Sequence, residues 1–428
     1  MSRTTKVSLV WPAQAIITES LFRHYSMLAE VAGYLTDSSK VMHELSVHIS
    51  IEDCAAVVHT AMNMANIVYE NDIIAVAINM NNVKEAIDTT TFFKSIDKNK
   101  KVIAYGEAVA CNSSFFEKQE CFDYVVAGGQ FELGLEIAIC HCLGKENLLY
   151  GTEIKQEMYE INGKTIFLNC NIVLPPSKWG MPKLDKLPIE SYLKIGKGEL
   201  HITACKGCSF DCEFCNEKYV SGDSIKYRNI DQIVQYLCFN QVKANSVYLD
   251  ASTFTYDRNW VITLCKTLVE IQRPIMEWKT CTRLDCLDEE LLFWMGKANC
   301  KRLSIGVESM SLEIQKRNHK LVEKEKLSTF SELCHVNGIT PRALLIIGLK
   351  GQSSNEIEMA DETLREMGIQ TRFRVLQDFS FMLKKEEIVL DDFNTLNRWL
   401  IYSPFPDTDI NKIRKYEYPE ERKNQNFA

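Results

Sequence analysis

Over the first 150 residues the apolar positions switch repeatedly between two periods. Short apolar runs at Val7–Trp11, Asp72–Ile78 (DIIAVAI), Lys101–Tyr105 and Tyr124–Ala127 read as buried strands. Between them, apolar residues recur at helical spacing over Ser20–Leu35, Asp53–Tyr69, Val83–Ile96 and about Gln130–Cys142. Ser50 and Asp53 stand at capping-box spacing at the head of the second of these helices. This alternation predicts an α/β fold with a parallel, doubly wound sheet over residues 1–150. Ligands of such sheets sit beyond the carboxyl ends of the strands. Those ends carry Asn79–Asn82, Gly106–Glu107 and Gly128–Gly129, where glycine lets a backbone approach a ligand or simply turns the chain.

Residues 151–198 read as a linker. Within it, Lys155–Tyr159 and Thr165–Asn169 flank an Asn162-Gly163 pair that suits a tight hairpin turn. The proline-bearing run LPPSKWGMPKLDKLPIESY after it is expected to be extended rather than helical. From Glu199 the strand–helix pattern resumes. Strands are expected at Leu200–Thr203, Ser246–Asp250, Met276–Cys281, Arg302–Ile305, Arg342–Ile347 and Phe373–Leu376. Helices are expected near Asp231–Phe239, Asn259–Glu270, Asp288–Lys297, Lys324–Asn337 and Glu356–Glu366. These units set a second domain at 199–380, followed by an extension at 381–428 whose charged tail is expected to fray.

Composition narrows the class without naming it. The chain is 46% hydrophobic and 25% charged, and its longest apolar run, about Ala343–Leu349, is far short of the ~18 residues of a membrane span. No membrane partner and a cytoplasmic location are therefore expected. The net charge of −8 argues against bulk nucleic-acid binding. Sixteen cysteines are scattered among apolar neighbours rather than arranged as a secreted disulfide framework, which fits a reducing compartment.

The densest chemistry lies between His201 and Tyr219, HITACKGCSFDCEFCNEKY. Cys208, Cys212 and Cys215 form a C-x3-C-x2-C triplet, with Phe214 just before the last cysteine. Three thiolates this close can take three corners of a [4Fe–4S] cluster, leaving the fourth iron open to a chelating small molecule. With Cys205 added, the run could also suit zinc. Structural zinc sites, however, usually separate their two C-x2-C pairs by a dozen or more residues, and here three intervene. Inert buried thiols are the remaining alternative, and Cys205 itself reads as a spare strand residue.

The triplet and its aromatic resemble the cluster motif of the radical S-adenosylmethionine (SAM) superfamily. That resemblance implies a partial (β/α)6 TIM barrel over 199–380, with SAM chelated to the open iron and cleaved to a 5′-deoxyadenosyl radical. Further segments extend it over about Glu199–Gly351. YLDASTFTYD places Asp250 at the second strand end, near the SAM amino group in the family. CTRLD places Arg283 at the third, where a guanidinium can clamp a carboxylate. SIGVES places Ser304 and Glu308 on the fourth strand, with Glu308 toward the ribose or amine, and LLIIGLKGQ places Gly348 beside the adenine. An interior Arg283–Glu308 ion pair and a purely turning role for Gly348 and Gly351 are the alternatives. Ser403–Thr408 faintly resembles a turn common near the end of such barrels.

Residues 1–150 are similar to the cobalamin-binding domain that precedes the barrel in one large branch of the superfamily. YGEAVACN and VVAGGQFE stand where that branch has glycine-rich strand ends. No D-x-H-x-x-G is present, so no histidine should ligate cobalt from below, as is usual in the branch. Ala77-Ile-Asn-Met-Asn-Asn82 departs from the small hydroxyl residues usual there, and the bulk of Ile78 and Met80 could fill the groove for the nucleotide tail. The resemblance thus implies three cofactors, a [4Fe–4S] cluster, SAM and cobalamin. It also implies a small-molecule or peptide substrate, an electron donor such as flavodoxin or ferredoxin, and C-methylation as the commonest outcome. Radical dehydration, epimerisation or rearrangement without cobalamin is the second reading, and an iron–sulfur electron carrier or sensor the third. An unactivated C–H bond offers no acid–base handle, so in either enzymatic reading the cofactor supplies the hard step.

Overall fold

The computed structural model describes residues 3–13, 24–57, 59–149, 159–168, 174–240, 242–271, 273–376 and 388–391. The chain divides into two compact units. The first comprises Met1–Ser209, Asn216–Gln232 and Phe381–Asn394; the second comprises Phe210–Cys215, Ile233–Ser380 and Thr395–Ala428.

The first unit is built on a seven-stranded sheet: β1 (Thr5–Trp11), β2 (Val47–Asp53), β3 (Ile73–Ala77), β4 (Lys101–Tyr105), β5 (Tyr124–Ala127), β6 (Tyr159–Asn162) and β7 (Thr165–Leu168). Their order is β2-β1-β3-β4-β5-β7-β6. Strands β1 to β5 are all parallel, and 2-1-3-4-5 is a doubly wound order whose direction reverses between β1 and β3. Every residue of β3 is buried, as its unbroken apolar run requires of a central parallel strand. Helices His24–Gly33, Val83–Ile96 and Phe131–Cys142 accompany the sheet. The last is buried from Phe131 to Cys140 even at Glu136, whose carboxylate accepts the Tyr34 hydroxyl at 2.8 Å.

Three expectations are corrected here. Asp53–Tyr69 is not one helix: VHISIED alternates as a half-exposed edge strand and forms β2. Asp53 ends that strand by accepting the backbone N–H groups of Ala55 and Ala56 at 3.0 Å, and the helix begins only at Ala61, capped reciprocally by Thr60 and Asn63. The hairpin has its turn at Gly163 (φ +66°), but its strands are Tyr159–Asn162 and Thr165–Leu168, and β7 pairs in parallel with β5. The expected strand residues 155–158 lie outside the described residues. The proline-bearing run is not extended throughout. It holds two 3-10 turns, Pro176–Lys178 and Leu184–Lys186, and a short helix, Ile189–Ile195, that Pro188 introduces.

A buried clasp lies within the first unit. Arg228, with no exposed surface, donates from Nη2 to Glu30 Oε2 at 2.8 Å, from Nε to the Thr203 carbonyl at 2.6 Å and from Nη1 to the Gly180 carbonyl at 3.0 Å. Its guanidinium also stands 5.5 Å from the centre of the Trp179 ring. Glu30 in turn accepts the Thr203 N–H at 2.7 Å. Thr203 is thus gripped on both of its backbone groups, five residues before Cys208.

Strand β8 (Glu199–Thr203) leads toward the cysteines, and β9 (Cys205–Lys206) pairs antiparallel with β10 (Lys226–Tyr227). Then come β11 (Ser246–Asp250), β12 (Glu277–Thr282), β13 (Cys300–Glu308), β14 (Thr340–Ile347) and β15 (Gln370–Val375). The second sheet has the order β15-β14-β13-β12-β11-β8, and β11 to β15 run parallel in chain order. A helix follows each strand from β11 to β14: Arg258–Glu270, Glu289–Lys297, Lys324–Val336 and Ser354–Glu366. Three begin on a side-chain cap, from Asp257, Asp288 and the Ser353–Glu356 box. Val247, Leu249, Trp278, Leu303, Ile305, Ala343 and Leu345 fill the interior. The expected strands and helices of this unit fall within a few residues of these ranges. Among the described residues no helix is long and apolar enough to cross a membrane. The Ser403–Thr408 turn and the charged tail lie outside the described residues.

Candidate active site

The carboxyl ends of the second unit's parallel strands collect most of the expected residues. Arg283 follows β12 and is 8% exposed. Its Nε and Nη2 donate to both carboxylate oxygens of Asp285 at 2.9 and 2.7 Å, and its Cζ lies 3.8 Å from the centre of the Phe210 ring. Nη1 points at Cys212 Sγ, 3.6 Å away. Although partial burial works against ionisation, the Arg283 hydrogen bonds hold the Asp285 carboxyl below its ordinary range.

Glu308 ends β13 with a backbone φ of +64°, just after a register shift between Gly306 and Glu308. A non-glycine residue there is strained, and such strain is characteristic of functional strand ends. Lys320 Nζ donates to Glu308 Oε1 at 2.8 Å and stands 6.0 Å from the centre of the Phe214 ring. The pair lies over Gly306, where a Cβ would collide with both Glu308 Oε1 and Lys320 Nζ. Glu308 and Arg283 therefore have separate partners, Lys320 and Asp285, and the interior Arg283–Glu308 pair does not form. Ser304 is buried within β13, and Asp250 closes β11 half-exposed. Gly348, at φ +100°, donates its N–H to Gln352 Oε1 at 2.8 Å while Gln352 returns a bond to the Ile346 carbonyl at 2.9 Å, so a turn accounts for this glycine.

Cys212 is half-buried and Cys215 exposed, with the Cys215 N–H bonded to the Cys212 carbonyl at 3.0 Å. Cys208 is half-buried in the first unit, its N–H bonded to the Gly222 carbonyl at 3.0 Å. Cys205 is buried in β9, as expected of a strand residue. Among the described residues no three Cys, His, Asp or Glu side chains converge as ligands of one metal ion. A cubane cluster makes no such demand, because each thiolate binds a different iron. Cys212 and Cys215, solvent-reachable thiols of the second unit on an irregular loop and in no disulfide, with a cationic N–H donor at one of them, have the donor chemistry that fits it.

The first unit places its expected residues at the ends of β3, β4 and β5. Ile78 and Met80 are both buried. Asn82 is buried and bonds the Ala77 carbonyl and the Asn79 N–H, leaving Asn79 and Asn81 half-exposed at the β3 end. Those two carboxamides suit the amides of a corrin or its nucleotide tail. At the β4 end, Gly106 (φ +119°) packs on the Ile78 carbonyl, and Glu107 accepts from Asn216 Nδ2 at 2.7 Å. Burial raises the Glu107 carboxyl above its usual range, with the Asn216 bond opposing. At the β5 end, a Cβ on Gly129 would fall on the Val220 carbonyl oxygen, one on Gly128 would lie 3.0 Å from Leu168, and Lys206 pairs with Glu132. The short helix Glu217–Ser221 thus packs directly on this strand end.

Asp285, Phe210, Lys320, Asn216 and Val220 are absent from the sequence-based set. R-x-D spacing around Arg283 and an aromatic two residues before Cys212 are signals that could have flagged the first two. Lys320 lies twelve residues beyond Glu308, with no local signature.

Residues 202–364 match the radical SAM superfamily. That stretch is a radical SAM domain. The chain is 21% identical over 353 residues to an uncharacterised methyltransferase of Pyrococcus horikoshii, spanning 79% of this chain and 73% of that one. An anaerobic magnesium-protoporphyrin IX monomethyl ester cyclase of Rubrivivax gelatinosus is 24% identical over 54% of this chain, which spans 37% of the cyclase. Among solved structures, the radical SAM methyltransferase TsrM of Kitasatospora setae superposes with a TM-score of 0.65 at 14% identity, over 86% of this chain and 73% of that one. The cobalamin-dependent radical SAM enzyme OxsB gives 0.63 at 15% identity, over 99% of this chain but 62% of OxsB. These likenesses bear out the fold: a Rossmann-like domain followed by a TIM-like radical SAM domain. A radical SAM domain marks an enzyme, and it brings a [4Fe–4S] cluster and SAM as cofactors.

Proposed function

We propose that this radical SAM enzyme methylates a carbon of a small-molecule or peptide substrate with cobalamin as methyl carrier. One observation carries the reading: a complete 2-1-3-4-5 doubly wound sheet precedes the cysteine-bearing barrel, and TsrM, solved with cobalamin and a [4Fe–4S] cluster, shares that whole arrangement over 87% of this chain. Cys208, Cys212 and Cys215 hold the cluster. When bound, the cofactors supply an electron, a 5′-deoxyadenosyl radical that takes hydrogen from the substrate carbon, and a methyl group. The chain's own residues bind and orient. Glu308, braced by Lys320, accepts from the amine or ribose of SAM. Arg283, whose guanidinium is held by Asp285, Phe210 and Cys212, lends its positive charge to the side of the SAM carboxylate, and Asp250, Ser304, Phe214 and Gly348 complete that wall. Asn79 and Glu107 meet the cobalamin side, with Gly106, Gly128 and Gly129 shaping its floor. The electron comes from a donor of the flavodoxin or ferredoxin class.

A second reading keeps the radical chemistry without cobalamin. It is favoured by Gly129 and Glu107, two strand-end positions already met by Val220 and Asn216. Protein produced with ample cobalamin and reconstituted anaerobically separates the two. Corrin absorbance and a product heavier by one methyl support the first reading. Protein that shows cluster absorbance but no corrin bands and still releases 5′-deoxyadenosine supports the second.

A further inference from the structure

Among the described residues Arg283 has three partners, all within the second unit. Asp285 takes the Nε/Nη2 edge through two bonds of 2.9 and 2.7 Å, and the face lies 3.8 Å from the Phe210 centroid. A planar guanidinium fixed on one edge and one face retains little freedom. Its remaining direction is therefore set by the fold, and it leads to Cys212 Sγ at 3.6 Å, within reach of an N–H···S bond.

We infer that Arg283 is a positioning residue that sets the reduction potential of the cluster through Cys212, with Asp285 and Phe210 holding it on the sulfur. This rests on the reading above that Cys212 ligates the cluster. The physical cause is charge. The electron entering from the donor adds one negative charge to the cluster. A cationic N–H donor on a ligating sulfur favours the form that carries the electron, so it raises the potential. Asp285 does the opposite at longer range, because its carboxylate offsets part of the guanidinium charge while aiming it.

Those opposed signs provide the test. Each variant is reconstituted with iron and sulfide and titrated anaerobically in the absence of SAM, with the reduced cluster followed by electron paramagnetic resonance. Arg283→Gln should make the one-electron equilibrium about tenfold less favourable, a fall of about 59 mV. Asp285→Asn should raise the potential, since it keeps an acceptor but removes the offsetting charge. Arg283→Lys should fall between wild type and Arg283→Gln, keeping the charge without the fork. Shifts of Arg283→Gln and Asp285→Asn in the same direction would mean that both merely loosen the loop, and would overturn the inference. So would unchanged potentials in loaded protein. If Arg283→Gln takes up no cluster, the sign from Asp285→Asn decides alone. Failure of the underlying reading looks different: Cys212→Ala would then keep the wild-type iron content and spectrum.

Discussion

Replacing Arg228 with methionine isolates the clasp that holds Thr203 in place. The guanidinium has no exposed surface, and its removal strands the Glu30 carboxylate, itself 2% exposed, with only Ser26 at 3.2 Å and the Thr203 N–H at 2.7 Å among the described residues. It also leaves the Thr203 and Gly180 carbonyls without the bonds that Arg228 donates. Breaking a buried ion pair from one side typically costs about 3–5 kcal/mol, because the surviving charge stays in a poor medium. For a unit of this size that corresponds to a fall of roughly 6–20 °C in unfolding temperature. Glu30→Gln should cost less, about 1.5–3 kcal/mol, since Arg228 keeps its carbonyl acceptors. The double variant should cost less than the sum of the two singles, because the second change removes a charge the first had stranded. Urea and thermal unfolding of all four proteins, free of cofactors, read the cycle. A cost below about 1 kcal/mol for Arg228→Met, or strict additivity, would refute the argument.

Other outcomes follow from the same geometry. Alanine at Cys208, Cys212 or Cys215 should abolish 5′-deoxyadenosine formation and cluster absorbance, whereas Cys205→Ala should retain both; iron and sulfide analysis checks this. Gly129→Ala should destabilise by at least ~1–3 kcal/mol, because the displaced atom is the Val220 carbonyl rather than a flexible tip, and calorimetry of the purified variant measures it. Glu107→Gln tests a pH dependence. Because burial raises the Glu107 carboxyl, the folded protein holds that proton longer than the unfolded chain does. Its contribution is therefore complete below the unfolded value of about 4.3 and is lost as pH rises through the raised folded value. The glutamine variant has no proton to lose, so its urea midpoint should gain on wild type as pH rises above about 4.3. A flat difference would rule that out.

Much of this architecture was legible in the residues. Val83–Ile96 has the expected bounds, because Asn82 and Asp97 flank an uninterrupted helical period. The parallel strands stood out because buried strands read as unbroken apolar runs, as IIAVA does in β3. The misplaced helix at Asp53 arose from two signals in competition. Ser50 and Asp53 carry capping spacing, but the V-x-I-x-I alternation before them decides the element, and Asp53 closes a strand instead. Within the site, Arg283 and Glu308 were visible as strand-end residues, whereas their partners were not. Asp285 and Lys320 acquire their roles from tertiary placement, which no local period encodes. The same holds for Gly129, whose smallness answers to a carbonyl 91 residues further along the chain.

The two-residue ladder of β9 and β10 reaches beyond its size. By pairing Lys206 with Lys226 it closes the stretch that carries all three cysteines through main-chain pairing. Closing a free loop of about 20 residues costs on the order of 2.7 kcal/mol in chain entropy beyond a constant. Here the strand pairing supplies that closure, so cluster assembly should not need to. Zinc-finger-like domains gain their fold with the metal and unravel under chelators. This loop instead behaves as a standing socket: stripping the iron should leave the far-ultraviolet circular dichroism and the unfolding temperature nearly unchanged, and reloading should need no refolding.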